Sequence, residues 1–442
     1  MVDAATQNPA APELPPLSNM GRYLMLITSF FGWFFAGTQM TITAVAMRSA
    51  AKDLLGQQGN DEGLVGLWFS RYTVAFLIGA AVGGLFFGWL GDRFGRTKAM
   101  AWSILCYSVF AGIAYYAESP EELLALRFLA CMGVGGMWPN GVALVSEAWS
   151  NLSRPLVAGI IGTAANVGIF CMAQITKFKS VTPDDWRWVM LVVASPVILG
   201  VFAWIAVPES PRWLASRHAS GKAEGAGSLP RKQKSPVKEI FQPPYRQLVI
   251  IGILLGAVPL IGGWGSANWL VPWADQVGEQ MSPPDPSIKS NVVIARSLTG
   301  MVGSFLGGIL ASMFGRRRTY VLISVAALGI SQYIFWFLEP TDGATFMIAV
   351  AALGLFSGIY FGWLPLCLPE MFPTRVRATG SGVSFNFGRI LTAATVLISG
   401  MLLHEVFQGD YAAIGRVTSF IYLIGMVAIL FAPDTSKTGL ED

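Results

Sequence analysis

Of 442 residues, 53% are hydrophobic and only 13% charged, with a net charge of +4; a soluble domain carries about 25% charged residues. Water is therefore not the main solvent of this chain, and a soluble globular enzyme is excluded. Four cysteines, Cys106, Cys131, Cys171 and Cys367, all fall in apolar stretches without paired or metal-ligand spacing, and read as small core hydrophobes.

In chain order, residues 1–20 form a polar tail rich in Pro, Ala and Asn, with neither a basic start nor a cleavage site. Apolar runs then recur from Tyr23 to Phe431, many near or above the roughly 20 residues that cross a hydrocarbon core as a helix. In lipid the backbone must satisfy its own hydrogen bonds, and runs this long and uniformly apolar are not alternating strands. The fold class predicted is an all-α membrane protein with twelve transmembrane helices in two pseudo-symmetric six-helix bundles. Splitting the runs at Gly, Pro and charge clusters places the first six near 22–47, 64–90, 98–117, 121–147, 155–177 and 186–207. The second six fall near 247–274, 290–314, 318–338, 344–370, 376–404 and 411–433. The domains expected are thus an N-terminal bundle over 21–207, a linker over 208–246, a C-terminal bundle over 247–433 and a tail over 434–442.

The linker holds Arg212, Arg217, Lys222, Arg231, Lys232, Lys234, Lys238 and Arg246, a composition that does not bury itself. Arg93, Arg96, Lys98, Arg154, Arg316, Arg317, Arg318, Arg375 and Arg377 lie on the same side, whereas Asp61, Glu62, Glu118, Glu121, Glu122, Asp184, Asp185, Glu339 and Asp342 lead the opposite loops. By the positive-inside rule the linker and both termini are cytoplasmic; the membrane expected is a bacterial inner membrane. That rule already accounts for the basic linker, so no nucleic-acid partner is expected.

An internal repeat supports two similar halves. Gly88-Trp-Leu-Gly-Asp92-Arg93-Phe-Gly95-Arg96 closes the second helix, and Gly308-Ile-Leu-Ala-Ser312-Met313-Phe-Gly315-Arg316 closes the eighth, 220 positions later. Glu147 with Arg154 follows the fourth helix and Glu370 with Arg377 the tenth, each seven apart. Glycines let helix ends approach and reverse, while Asp92, Glu147 and Glu370 can pair with neighbouring arginines and lock one end of the molecule. The bland alternative is ordinary topogenic charge. Ser312 and Met313 replace Asp92 and Arg93 in the second copy, so a weaker latch is expected there.

The Gly-Asp-Arg-Phe-Gly-Arg loop, its degenerate second copy, the central linker and the paired Glu and Arg positions resemble the major facilitator superfamily. Pro208-Glu-Ser-Pro-Arg-Trp213-Leu and Pro433-Asp-Thr-Ser-Lys-Thr-Gly439-Leu-Glu441 are similar to the sugar porters and their organic-ion relatives. Pro369-Glu370-Met-Phe-Pro373-Thr-Arg375-Val-Arg377-Ala-Thr-Gly380 resembles the organic-anion, aromatic-acid and sialic-acid branches. The resemblance implies alternating access, with the bundles rocking about one site lined by helices 1, 4, 7 and 10. The acid-symporter branches carry an aspartate in the first helix, where this chain reads Gly32-Trp33-Phe-Phe-Ala36-Gly37-Thr38-Gln39.

Four cations fall inside expected spans, Arg71, Arg127, Arg296 and Arg389, and no acid falls deep inside any. A cation at mid-bilayer costs about 2.5–3.5 kcal/mol on insertion scales and so faces a cavity or a partner. With no buried acid in view, the partner expected is an anionic solute. Arg389 lies thirteen residues after Val376, roughly 20 Å along the helix, and the anion-transporting relatives are similar in carrying a helix-eleven arginine. Arg296, twelve residues before Gly308 and so roughly 18 Å along helix eight, either reaches the same cavity or snorkels outward. Arg71 and Arg127 lie nearer helix ends, where snorkelling or bonds to carbonyls are expected; the resemblance gives Arg127 a structural or coupling role. Gln39, Asn166, Asn268 and Asn386, with Trp264, Tyr360 and Trp363, complete the candidate solute site; amides suit hydroxyls and rings stack on sugars or aromatic acids. For each amide the alternative is interhelical hydrogen bonding, and for each tryptophan an interfacial belt or plain packing. Trp264 and Asn268 share a face of helix seven at four residues' spacing. The Gly-rich stretches lack the strand–turn–helix context of nucleotide loops, and two histidines, His218 and His404, make no metal centre. No cofactor is expected. The function expected is transport of a small organic anion, a carboxylate, sugar acid or aromatic acid, by a monomer in a lipid bilayer, with a neutral sugar or polyol as the alternative cargo.

Overall fold

The structure, a computed structural model, describes residues 17–149, 154–215, 236–373 and 376–435. The expectations for residues 1–16, for the basic cluster of Arg217, Lys222, Arg231, Lys232 and Lys234, for Arg375 and for the 436–442 tail fall outside the described residues, as does the side chain of Arg154.

Helix follows helix along the described chain. Helix 1 is Asn19–Val45, continued after a 52° bend by Met47–Leu54. Helix 2 is Glu62–Phe94, helix 3 Arg96–Ile113, helix 4 Pro120–Ala148, helix 5 Arg154–Phe178 and helix 6 Trp188–Ala206. After a short helix at Pro236–Ile240 come helix 7 at Tyr245–Gln280, helix 8 at Ile288–Phe314 and helix 9 at Arg316–Phe337. Helix 10 is Ala344–Glu370, helix 11 Arg377–Glu405 and helix 12 Tyr411–Phe431. Ten described helices are long and apolar enough to cross a membrane and the bent helix 1 makes an eleventh; helix 5, at 25 residues, holds the remaining place in the expected order of twelve. Caps set several starts: the side chains of Asp61, Ser119 and Asp410 accept from amides at Leu64, Glu122 and Ala413.

The repeat is visible in three dimensions. Helix 2 packs most extensively on helix 4, and its counterpart helix 8 on helix 10, through small residues such as Gly83 against Met132 and Gly303 against Leu355. The turns after helices 2 and 8 both pass through a positive-φ glycine, Gly95 at 112° and Gly315 at 87°, a conformation that a Cβ makes costly. Between the halves, helix 2 packs on helix 11 and helix 5 on helix 8.

Burial along helix 2 shows where the halves touch. From Gly63 to Leu77 nearly every residue is buried, whereas toward the linker the buried set thins to Gly83, Phe87 and Gly91. That four-residue spacing is one helix face, the one against helix 4. The halves therefore meet at the end away from the linker, hereafter the far end, and part toward the linker end. Gly400 of helix 11 lies so close to Ser70 of helix 2 that an added Cβ would overlap the serine side chain.

Helix 7 differs from expectation in two respects. Helix 7 continues six residues past its expected end at 274, because Asp275 is not a loop residue but a buried, paired one. Helix 7 is also not continuous: Leu260 is followed by a π-helical stretch, Ile261–Ser266, and a 3-10 turn, Ala267–Trp269, before Leu270–Gln280 resumes as α-helix. The sequence there, Ile-Gly-Gly-Trp-Gly-Ser, supplies three glycines in five positions, where helical propensity is low.

Candidate functional site

Six charged side chains close the far end, three from each half. Arg48 reaches Glu62 at 2.6 Å, Asp275 at 2.9 Å and Glu279 at 2.9 Å. Lys52 reaches Glu279 at 2.7 Å and Glu62 at 3.5 Å. Lys289 holds the other oxygen of Asp275 at 2.9 Å and donates to Ser49 Oγ at 3.0 Å and the Val181 carbonyl at 2.6 Å, both in the first half. Arg48, Asp275 and Lys289 are 1%, 3% and 1% exposed. Three cations balance three carboxylates, so the cluster is neutral as a whole and each buried charge has a partner. Thr176 and Ser290 bond across the halves at 3.0 Å, and His404 of helix 11 stands 3.9 Å from Asp61.

Below the cluster lie aromatic contacts between halves: Phe69 with Trp269 at 5.6 Å and Phe76 with Trp264 at 4.6 Å. Here the break in helix 7 gathers Trp264, Asn268 and Arg296. Asn268 is buried with its Nδ2 unpartnered among the described residues. Arg296 donates to the carbonyls of Ala267 at 2.8 Å and Gly263 at 3.4 Å.

Further toward the linker, helix 11 runs close to helix 7 at Gly388, whose neighbours are Gly256 and Ala257. Arg389 follows. It is half-buried, its guanidinium 5.3 Å from the Phe385 ring centroid, and among the described residues it has neither an acid nor a hydrogen-bond acceptor. Asn386, one turn earlier, donates to its own helix at Gly382. In the first half, Trp33 and Trp138 pair at 4.9 Å, and Asn166 is half-buried on helix 5.

Three expected solute contacts are corrected. Gln39 is fully buried: its amide donates to the carbonyls of Tyr107 and Val193, and its oxygen accepts from Arg127. Tyr360 shares a hydrogen bond with Ser324 at 2.6 Å inside the second half, and the Trp363 indole donates to the Arg316 carbonyl at 2.9 Å. All three are buried, with their polar groups engaged inside one half. Arg127 is likewise structural, bonded to Gln39 and Thr43, while Arg71 lies 4.5 Å from the Trp68 ring centroid.

At the linker end, Arg96 pairs with Asp92 at 2.6 Å across the turn between helices 2 and 3, and Arg93 lies over Trp89 and Phe94. Glu147 accepts from the Ser210 hydroxyl, and Glu209 from the Thr97 amide. In the second half Arg316 grips Glu370 through two bonds, at 3.0 and 3.1 Å, and Thr435 adds a third at 2.7 Å. Arg377 donates to the Phe372 carbonyl. The second copy was expected to be the weaker latch, because Ser312 stands where Asp92 does. The structure reverses this: Arg316 finds Glu370 of helix 10 instead, less exposed than the Asp92 pair. Each of these pairs joins residues of the same half.

The far-end cluster escaped the sequence reading because Arg48, Asp275, Glu279 and Lys289 sit just beyond expected span ends, where charge is ordinary. A signal was present. Arg48 with Lys52, and Asp275 with Glu279, are like charges four apart on a helix face, an arrangement that repels unless an opposite pair faces it.

Two helical halves, joined by charge at one end and parted toward the other, have the architecture of a membrane transporter. Residues 24–395 match the profile of the Major Facilitator Superfamily, and the chain belongs to it. Over 80% of its length and 84% of theirs, it is 29% identical to a putative metabolite transport protein of Haemophilus influenzae. It is 27% identical to the cis,cis-muconate transport protein of Acinetobacter baylyi, over 80% of this chain and 83% of that one. The fold is similar to that of the D-xylose–proton symporter, with a TM-score of 0.72 at 17% identity, covering 93% of this chain and 98% of that one.

Proposed function

We propose that this protein carries a small organic anion, a carboxylate, across a bacterial inner membrane by alternating access, with both termini and the linker in the cytoplasm and Arg389 as the counter-charge. The observation that carries the reading is Arg389 itself, a mid-span cation with an aromatic ring beneath it and no acid among the described residues. Leaving such a group bare in hydrocarbon is costly, and a carboxylate is the partner its planar fork fits. The Acinetobacter relative, named for a carboxylate, supports the same class. The state described is closed at the far end and parted on the cytoplasmic side, from which Arg389, Asn386, Trp264 and Asn268 are approached.

The test is thermal stabilisation of purified protein by benzoate, cis,cis-muconate, N-acetylneuraminate, D-xylose and choline. A bound solute at a hundred times its Kd adds about 2.7 kcal/mol of stability. One of the acids is expected to raise the melting temperature of the parent and not of Arg389→Gln. Stabilisation by D-xylose alone, unchanged in the variant, overturns the anion reading in favour of a neutral sugar.

A further inference from the structure

We propose that Arg296 is a positioning residue: it holds helix 7 in its broken form through two backbone carbonyls and thereby keeps the far-end ion cluster assembled, without binding the solute itself.

The hydrogen bonds of the break depart from the α-helical pattern. In an α-helix the Ala267 amide would bond the Gly263 carbonyl; here it reaches back five residues to Gly262, which frees Gly263 from its α-helical partner. Arg296 donates to that carbonyl and to Ala267 four residues on. Both acceptors belong to the same interruption, so the guanidinium spans it. Carbonyls at an interrupted helix carry partial negative charge, and in a membrane interior an unmet carbonyl and an unmet cation are each costly. The break and Arg296 thus satisfy one another.

The two sides of this clamp lie on different helices of the second half. The Arg296 backbone is held against Gly354 of helix 10, where an added Cβ on the glycine would meet the Arg296 Cα at 2.7 Å. The segment beyond the break, Leu270–Gln280, is eleven residues or roughly 16 Å long, and it carries Asp275 and Glu279 to Arg48 and Lys52 of the other half. Straightening helix 7 would return the Gly263 carbonyl to an α-helical amide, strip Arg296 of an acceptor and swing both carboxylates. Arg296 therefore opposes the movement that opens the far end. The inference rests on alternating access as proposed above, but not on the charge of the solute.

The test reads gate and solute separately. Spin labels are placed at Gln57 and Gln280, both exposed at the far end in opposite halves, in full-length protein whose four cysteines are serines, reconstituted in lipid nanodiscs. Without solute the parent gives the short far-end distance. Arg296→Gln is expected to gain a longer-distance population, shifting the closed-to-open ratio about tenfold, the size expected for hydrogen bonds from a charged donor. Arg296→Lys, which keeps the charge but loses the fork, falls between, and it decides the matter if the glutamine protein does not fold. Thermal stabilisation by cis,cis-muconate should survive in Arg296→Gln and vanish in Arg389→Gln. A distance distribution identical to the parent's overturns the proposal, as does loss of muconate stabilisation in the Arg296 variant with the distances unmoved, which would make Arg296 a solute ligand. If muconate fails to stabilise the parent, the anion reading suffers while the distances still judge Arg296.

Discussion

The two ends of the molecule use the same repeat in opposite ways. At the linker end, two sets of equivalent positions keep the same charge: Arg96 and Arg316 are 220 positions apart, Glu147 and Glu370 are 223 apart. Glu370 finds Arg316 inside its own half and Glu147 finds the adjoining Ser210, so these contacts leave the halves free to part. At the far end, Arg48 and Asp275 are 227 positions apart, as are Lys52 and Glu279, close to the repeat offset, yet their charges are opposite. Positions near a pseudo-twofold axis face their own counterparts. Like charges there would repel; a basic helix end facing an acidic one forms a seal instead.

Breaking the far end should have the largest effect. Asp275→Asn leaves Arg48 and Lys289 buried without their shared carboxylate, and removing one partner of a buried charge pair costs about 3–5 kcal/mol. The expected outcome is a far end that opens, read as labelling of a cysteine placed at Ser49, which is fully buried in the closed form; a cysteine there as protected as in the parent background would sink the seal. Next comes Arg316→Gln, which deprives the largely buried Glu370 of a two-bond partner at a cost of about 1.5–3 kcal/mol. It should lower the melting temperature yet leave far-end labelling unchanged, since that pair lies within one half. Smallest are Lys52→Gln and Asp92→Asn. Lys52 is at the solvated rim of the cluster and Asp92 is 69% exposed, so each should change stability by less than about 1 kcal/mol. A large effect of Asp92→Asn on far-end labelling would show that the two ends communicate through the first half.

Much of the fold was legible because lipid leaves the backbone few options: apolar length, glycine-bounded turns and basic loops marked the helices and their repeat. Arg389 was legible for the same reason, as an unusual residue in an apolar run. The break in helix 7 was not, because Gly262, Gly263 and Gly265 are compatible with a packed helix as well as an interrupted one, and only Arg296 from the neighbouring helix decides. Gln39, Tyr360 and Trp363 were misplaced for a related reason: a polar group within a span announces that it has a partner without naming it, and theirs are a backbone carbonyl or hydroxyl of an adjacent helix. The far-end cluster was obscured by position, since charge just past a span end is what ordinary topology produces.

The contact of Gly400 with Ser70 has a mechanical consequence. It lies on the seam between helices 2 and 11, where helix 11 brings no side chain of its own against the serine, and so acts as a bearing. A methyl group added there is a shim: it would wedge the seam from the side on which the ion cluster pulls it shut. Steric thickness at one position and charge at another thus set the same angle, and a bearing of this kind, unlike the cluster, is indifferent to salt.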